Sequence, residues 1–316
     1  MSMAGERRAP PVFPRQPQRM SSTTEVAKSW QRCVASYNLD PSQGWKADVL
    51  SGAEFRHVTG CSTNLLKTAI PEMRRLFGLM QGLGLMVLLA DRDAIILARN
   101  IDDAHLPVCR RLELREGAIW NESAAGTNGI GTVAQDCTPI FLGEGEHWRF
   151  CFSRLASYAV PVFDAQGQVA GVINLAAFNG NTTRPVAPLV LDALQQSGRR
   201  IEEQLFRDRH PGQRILTLGA AQGCSAPLVC INDDGEIMGA THAARSLTGW
   251  TDDTISTHPN LLTRLGAGEE LSFQKAEENV IRSALALSHG NASATARSLG
   301  ISRATLYRKM KALGVR

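Results

Sequence analysis

The spacing of apolar side chains divides the chain into a helical beginning, a strand-rich middle and a helical end. The first predicted helix carries its apolar residues at helical spacing: Val26, Trp30, Cys33, Val34 and Tyr37. Residues 38–41 end that helix. A second helical stretch covers about 52–69, and Pro71 starts or kinks a third that ends near Gly82.

The middle of the chain changes to the period of β-strands. From Leu83, the stretch LGLMVLLADRDAIILAR is an apolar run, an Asp-Arg-Asp turn and a second apolar run, which predicts a β-hairpin. A second hairpin is predicted from a strand over 155–163, the turn DAQG and a strand over 168–177. Helices before the sheet and a closing helix over 188–208 favour an α+β fold over a βαβ fold.

The closing helix carries an approximate coiled-coil seam that consists of Val190, Leu194, Ile201 and Leu205. Ser197 and Gly198 interrupt the seam, so the helix is expected either to connect two copies or to lie on the sheet. Residues 226–250 then predict a short strand–turn–strand–helix unit with DDG at its hairpin turn. A linker is expected after it.

The C-terminal residues predict three helices. The first covers Leu271–Leu287, with an apolar face formed by Phe273, Val280, Ile281, Ala284 and Leu287. Asn291 and Ser302 are good N-caps for the other two, and Gly300 and Gly314 end them. The apolar stripe of the last helix consists of Leu306, Met310 and Leu313, opposite a basic face. This geometry is typical of a helix-turn-helix that enters a DNA major groove, the alternative being a bundle with solvated charges.

Charge distribution supports a polyanion partner for the C-terminal end alone. The formal net charge is +4, but eight basic and two acidic residues give +6 from Leu271 to Arg316 and leave −2 elsewhere. The length suggests two or three domains. Seven scattered cysteines without a CxxC pair fit reduced thiols in a cytosol. No apolar run approaches the roughly 20 residues of a membrane span, and residues 1–24 are expected to be a disordered tail rather than a signal peptide.

Several longer motifs resemble the sensory half of the acetoin-catabolism activators. They are KSWQRCVASYNLDP near the beginning, EGAIWNESAAGTNGIGT at 116–132, GEHWRF at 145–150 and PVFDAQGQVAGVINL at 161–175. This resemblance implies a GAF domain that binds a small effector. Residues 226–250 resemble a truncated PAS domain, and AEENVIRSALALSHGNASATARSLGISRATLYRKMKALGV closely resembles a Fis-type helix-turn-helix.

The sequence departs from such activators in one respect. They normally carry an AAA+ ATPase between the sensor and the DNA-binding domain, whereas only about twenty linker residues separate Trp250 from Leu271 here. No GxxxxGK[ST] phosphate loop occurs in the 316 residues. The resemblance therefore implies sensing and DNA binding, but not ATP-driven opening of a sigma-54 promoter.

The expected organisation is a tail (1–24), a GAF-type antiparallel sheet domain with flanking helices (25–210), a PAS-like unit (211–252), a linker (253–270) and an all-α Fis-type domain (271–316). The Fis resemblance carries DNA contacts onto Asn291, Ser293, Ser302, Arg303, Thr305, Tyr307, Arg308, Lys309 and Lys311. Helix N-termini and basic side chains suit phosphates, and Arg303 and Thr305 are early enough in the last helix to reach base edges.

The GTNGIGT segment is the expected wall of an effector pocket. Its glycines do not open a βαβ unit, which argues against a dinucleotide site. The alternative is that these glycines only let a helix pack on the sheet. The candidate ligand-binding residues are Trp120, Asn121, Glu122, Thr127, Asn128, His147 and Tyr158. His147 is also open to a role in metal or haem binding with Cys137 or Cys151, although no metal spacing is present and no cofactor is expected.

Together these features predict a cytoplasmic bacterial transcriptional regulator without catalytic activity. It is expected to bind double-stranded DNA as a homodimer, to sense a small effector and to act on RNA polymerase, with no membrane association. One alternative is a ligand- or redox-responsive co-regulator that works with a full-length activator. Another is an architectural protein that bends DNA with weak sequence preference.

Overall fold

The computed structural model describes residues 24–178, 186–220, 223–265, 280–282, 284–285, 288 and 291–313. The expected N-terminal tail, Phe273, Leu287 and Gly314 lie outside the described residues. The chain divides into two compact units. The first extends to Cys230 and includes Gly239–Thr251, and the second comprises Ile231–Met238 and the residues from Asp252 onward.

Three helices open the first unit: α1 (Thr24–Ala35), α2 (Gly52–Cys61) and α3 (Thr63–Met80). The third helix does not start at Pro71, because the chain breaks at Ser62 and Pro71 lies inside α3. A kink at Pro71, the other expectation, stays a prediction. An internal proline costs a helix about 3 kcal/mol, and burial of the α3 apolar stripe offsets this cost. That stripe consists of Leu65, Ala69, Met73, Leu76 and Met80.

A five-stranded antiparallel sheet with the order β2-β1-β5-β4-β3 forms the centre of the first unit. Its strands are β1 (Met86–Asp91), β2 (Ile96–Asn100), β3 (Ile140–Leu142), β4 (Leu155–Phe163) and β5 (Val169–Phe178). Both predicted hairpins are confirmed as β1–β2 and β4–β5. The three-residue edge strand β3 was not predicted, because so short a run has no measurable period.

Helices cover both faces of this sheet, which confirms the predicted α+β class. One face packs on α3 and α7 (Ala187–Arg209), and the other packs below α4 (Leu106–Leu112), α5 (Glu122–Ala125) and α6 (Gly129–Asp136). Side chains alternate between the faces, as strand geometry requires. On β5, Ile173 and Leu175 belong to the α3–α7 core, whereas Ala176 belongs to the core beneath the short helices.

The apolar seam of α7 lies on the sheet of its own chain. Val190, Leu194 and Ile201 are buried in the core shared with α3 and β4, and Leu205 packs at its edge. The interrupting residues Ser197 and Gly198 are buried as well. The described contacts therefore favour the second of the two expected roles for this helix.

A small strand–turn–strand–helix unit follows α7, as the sequence predicted. Its three-stranded sheet has the order β6 (Arg214–Thr217), β7 (Leu228–Ile231) and β8 (Ile237–Ala240), and α8 covers His242–Thr248. Gly235 closes the DDG turn with a φ of +77°, a conformation that favours glycine.

The segment expected to be a linker contains two short helices in its described part. These are α9 (Asp252–Ser256) and α10 (Leu261–Arg264). The chain beside them is tied to the DDG turn, since the Leu261 amide donates to the Gly235 carbonyl at 2.9 Å and the Ile237 amide donates to the Pro259 carbonyl at 3.0 Å.

The C-terminal helices α11 (Ala292–Ser298) and α12 (Arg303–Leu313) form the predicted helix-turn-helix pair. Their core is Ile281, Ala296 and Leu306, with Met310 and Leu313 packed against it. Residues 280–282 and 284–285 are helical. The placement of Val280 on the apolar face is wrong, because its side chain is 55 % exposed while that of Ile281 is buried. Within the described ranges, every helix is too short or too polar to cross a lipid bilayer.

Candidate functional site

A buried ion pair fixes α1 to the short helices of the sensor region. Arg32 donates to both oxygens of Glu122, at 2.6 and 2.8 Å, and to Asp136 at 2.8 Å. Ser29 donates to the same Glu122 carboxylate at 2.8 Å, and its hydroxyl lies 2.6 Å from that of Thr127. Hydrogen bonding to Glu122 raises the pKa of Arg32. Glu122 and Thr127, two of the candidate ligand-binding residues, therefore have structural partners.

The neighbouring candidates also make internal hydrogen bonds. The Asn121 side chain caps α5 by accepting from the Ala124 amide at 3.0 Å, and that of Asn128 caps α6 by accepting from the Gly131 amide at 2.8 Å. The Asn128 amide group donates to the carbonyls of Trp120 and Gly126. The Trp120 indole donates to the Glu113 carbonyl at 3.1 Å. These side chains build the wall of the sensor core.

The three glycines of GTNGIGT are required for close packing. Gly126 has a φ of +76°, and a Cβ there would lie 2.5 Å from Trp148. A Cβ on Gly129 would lie 2.5 Å from Asn174 Nδ2 and 2.8 Å from Ser157 Cβ, and one on Gly131 would meet the backbone of Trp120 and Glu122. Gly129 brings α6 onto the sheet, as one of the two readings of this motif expects; a role of the motif in an effector pocket stays a prediction.

Beneath Gly129, a polar cluster lies in the otherwise apolar core. Its members are His147, Ser157 and Asn174, which are 4 %, 3 % and 1 % exposed. His147 Nε2 lies 3.1 Å from Ser157 Oγ. Burial lowers the pKa of His147 to about 3, so its ring is neutral at physiological pH. Ser157 and Asn174 line a small cavity of about 10 Å³, about the size of one water molecule.

Several buried side-chain nitrogens have no hydrogen-bond partner among the described residues. The side-chain atoms Nδ1 of His147, Nε1 of Trp148, Nε of Arg149 and Nδ2 of Asn174 are buried without a hydrogen-bond partner. More than nine in ten buried polar groups in proteins are paired. Four such atoms lie in this part of the chain, three of them in the consecutive residues His147, Trp148 and Arg149.

Tyr158 is not brought together with the other ligand-binding candidates. It is fully buried in the core that faces α3 and α7, and its ring stacks on Phe141 with centroids 4.6 Å apart. Ser157, its neighbour in β4, faces the opposite side toward α6. The sheet therefore separates Tyr158 from His147, although its predicted role in ligand binding stays a prediction.

A metal role for His147 gains no support from the described residues. Cys137 and Cys151 are exposed, whereas His147 is buried against Ser157. Among the residues that the structure describes, no three His, Cys, Asp or Glu side chains are grouped so that they could hold a metal ion.

An open groove of about 1180 Å³ forms a second concave surface in the first unit. It runs along α2, the end of α7 and the turns of both hairpins. Asp91 in its wall already accepts hydrogen bonds from the amides of Asp93 and Ile95, which fix the first turn. The buried nitrogens without partners lie elsewhere, so this groove is the weaker candidate for a small ligand.

Helix α8 is docked on the sensor through the buried carboxyl group of Glu202 on α7. Glu202 accepts from the Ser225 hydroxyl at 2.8 Å and from the amides of Ala226 and His242. Burial raises its pKa to about 8 although these hydrogen bonds lower it. The ring of His242 stacks on Phe163 with centroids 3.8 Å apart.

The predicted DNA-binding residues lie together on α11, α12 and their turn. Asn291 caps α11 by accepting from the amides of Ser293 and Ala294, and Ser302 caps α12 by accepting from the Thr305 amide at 3.1 Å. Gly300 takes the predicted left-handed conformation, with a φ of +67°.

The remaining candidates form the outer surface of α12. The side chains of Arg303, Tyr307, Arg308 and Lys311 are exposed, and that of Lys309 is half-buried. Leu306 on the opposite side is fully buried. The last helix therefore has the expected buried stripe and basic face.

Two family models match this chain, one over the sensor region and one over the C-terminal helices. A model of the MimR N-terminal domain family matches residues 15–203, which is more than half of the sequence. The chain belongs to this family. A second model, of Fis-family bacterial regulatory proteins, matches residues 272–313 and covers α11 and α12.

Two curated relatives are regulators of acetoin metabolism. The chain is 27 % identical over 231 residues to the acetoin catabolism regulatory protein of Cupriavidus necator, covering 72 % of this chain and 35 % of that protein. It is 26 % identical over 226 residues to the acetoin dehydrogenase operon transcriptional activator AcoR of Bacillus subtilis, covering 71 % and 37 %. The chain thus spans little more than a third of the length of these relatives.

One chain of the solved complex of DhaR(N) with DhaL from E. coli has a similar fold. Its TM-score is 0.53 at 19 % identity, and the match covers 72 % of this chain and 77 % of that chain. At this identity the match shows the fold alone. It agrees with the mixed arrangement of helices and antiparallel sheet in the first unit of this family member.

Sequence reasoning missed the residues that form the polar cluster with His147. Asn174 lies inside the apolar run GVINLAA and Ser157 inside LASYAV, and each interrupts a strand whose other side chains are apolar. A polar residue in a strand buried on both faces was the available signal. Ser29 and Arg32 were missed because their partner Glu122 is 90 or more positions away.

Proposed function

We propose that this family member is a DNA-binding transcriptional regulator whose sensor responds to a small metabolite. The observation that carries this proposal is the basic outer face of α12 on a buried Fis-type core. Its nine predicted contact residues, from Asn291 to Lys311, are all exposed or half-exposed and therefore accessible to DNA. Cytoplasmic location and the absence of catalytic activity are parts of the same proposal.

The output of the proposed regulator is DNA occupancy. No nucleotide-binding phosphate loop is present in these 316 residues, so effector binding has to change affinity or placement on DNA without ATP hydrolysis in this chain. We propose a homodimer, because one short recognition helix reads few base pairs and two double the contacts. Such coupling requires that the effector prefers one of two states.

The relatives guide the choice of effector class. Two of them are named for acetoin, so a small oxygenated metabolite is the first class to test for this sensor. RNA polymerase is a proposed partner of the DNA-bound form.

Footprinting of the purified protein on the DNA upstream of its own operon tests the DNA-binding proposal. We expect a sequence-specific footprint that Arg303→Ala weakens about 10- to 100-fold, because one base contact is worth about 1–3 kcal/mol. Arg264→Ala removes the same charge from α10 and should leave the footprint unchanged. Equal affinity of the wild type and Arg303→Ala would refute the assigned contact.

A co-regulator that acts with a full-length activator is the second candidate. It is favoured by the missing AAA+ segment between sensor and helix-turn-helix. The same experiment separates the two proposals, because a co-regulator would give a footprint only when the activator is added. An architectural DNA-bending protein would instead protect flexible sequences with little preference.

A further inference from the structure

We propose that Arg297 on α11 binds a phosphate group of the DNA backbone beside Ser293, a contact that the Fis resemblance does not assign. This inference rests on the proposed DNA-binding function and concerns how the helix-turn-helix is anchored, not which bases it reads. In a helix-turn-helix the first helix crosses the DNA backbone while the second enters the major groove. Among the seven residues of α11, Arg297 is the one basic side chain, so it decides whether this helix makes a charged contact.

The Arg297 side chain extends back along α11 toward the beginning of the helix. Its Nε donates to the Ser293 carbonyl, one helical turn earlier, at 3.4 Å. Residues four positions apart lie on the same face of a helix. The exposed guanidinium group is therefore held on the face that carries Ser293, a predicted phosphate contact.

The end of α11 does not require Arg297 as a cap. Basic side chains in the last turn of a helix can bind its terminal carbonyls. Here the backbone supplies these donors, because the amides of residues 299–301 donate to the carbonyls of residues 295–297 at 3.0–3.2 Å. The direction of the Arg297 side chain, away from these carbonyls, agrees with a role outside the helix.

Arg297 also lacks an acidic partner in the helix-turn-helix. The sequence from Asn279 to Arg316 contains no Asp or Glu. Within the part of the chain that the structure describes, the bond from Nε to Ser293 is the one hydrogen bond that the Arg297 side chain makes. Its two terminal nitrogens form a planar fork of donors, which matches two oxygens of a phosphate group.

Salt-dependent binding of whole-chain variants tests this contact. Arg297→Gln removes the charge and Arg297→Lys keeps it, and all three residues have similar helix propensities. We expect Arg297→Gln to lower the slope of log K against log salt by about 0.9 for each α11 that contacts DNA. For one such contact, the affinity should fall about 15-fold at 0.05 M salt and about fourfold at 0.2 M salt. Arg297→Lys should keep the wild-type slope.

Two comparisons separate a phosphate contact from other roles. The DNA upstream of the operon and an unrelated duplex of equal length should lose affinity for Arg297→Gln by the same factor, because phosphates carry no sequence information. Arg264→Gln removes the same charge from the exposed surface of α10 and is the matched control, which should keep the wild-type slope.

Three results would overturn the inference: an unchanged slope in Arg297→Gln, a loss of affinity confined to the operon DNA, or an equal loss of slope in Arg297→Lys. Wild-type binding to both duplexes together with an unchanged slope in Arg297→Gln rejects only the Arg297 contact. A wild type that binds neither duplex rejects the proposed DNA-binding function and the contact with it.

Discussion

Replacement of Arg32 tests whether the buried ion pair holds α1 on the sensor. Arg32→Met keeps the aliphatic stem but removes two hydrogen bonds from a Glu122 carboxylate whose side chain is 2 % exposed. Removing one partner of a buried ion pair lowers the free energy of unfolding by about 3–5 kcal/mol. Because the Arg32 side chain is itself 23 % exposed, we expect the lower end of that range.

Urea denaturation of four proteins measures the coupling: the wild type, Arg32→Met, Glu122→Gln and the double variant. The Gln side chain keeps an acceptor for Ser29 but removes the charge. The loss of unfolding free energy in the double variant should therefore be about 2 kcal/mol smaller than the sum of the losses in the single variants. A loss of about 3 kcal/mol corresponds to a fall in Tm of about 6–12 °C for a domain of this size.

A surface pair provides the matched control for this experiment. Arg115 donates to Glu113 at 2.7 Å, but the Arg115 side chain is 50 % exposed. Arg115→Met should therefore cost no more than about 1 kcal/mol. Two results would show that burial does not strengthen the α1 contact. One is that the losses of unfolding free energy in Arg32→Met and Glu122→Gln add up to that of the double variant. The other is an equal loss in Arg32→Met and Arg115→Met.

Three further variants probe other parts of the chain. The pKa of Glu202, raised to about 8 by burial, means that the folded protein keeps a proton that the unfolded chain releases near pH 4.5. Stability should thus fall by up to about 1.4 kcal/mol per pH unit between those values, and Glu202→Gln should remove this slope in urea melts at pH 5 and 8. Gly129→Ala should cost about 1–3 kcal/mol, since its Cβ would lie 2.5 Å from Asn174, and an unchanged urea midpoint would contradict that packing. Lys311→Ala should weaken binding to all DNA sequences and lower the slope of log K against log salt by about one; an unchanged slope would exclude a phosphate contact.

Local patterns were sufficient for the hairpins and for the helix-turn-helix. The turns DRD and DAQG separate apolar runs of strand length, and Asn291, Gly300 and Ser302 are caps whose chemistry is decided by neighbouring residues. A helix start at Pro71 was wrong because burial of the α3 stripe against the sheet and α7, which the local sequence does not show, outweighs a local preference.

The sensor interior was not predictable to the same degree. Periodicity identifies which strands are buried but not which face meets α6, and a shift of one residue exchanges Ser157 for Tyr158. The motif drew attention to Glu122, Asn121 and Asn128, whose side chains are used for an ion pair and two helix caps. Asn174 gains its significance only from the absence of an acceptor around it in three dimensions.

The docking of α8 on Glu202 decides where a sensor fragment of this protein has to be cut. A fragment that ends at residue 210, after α7, loses Ser225 and the amides of Ala226 and His242, so the buried Glu202 carboxyl group is left without its donors. It also removes Gly239, which packs against His210 and the fully buried Phe206. A fragment that ends after Thr251 keeps these contacts. We therefore expect this fragment, and not the one that ends at residue 210, to give a monodisperse sample.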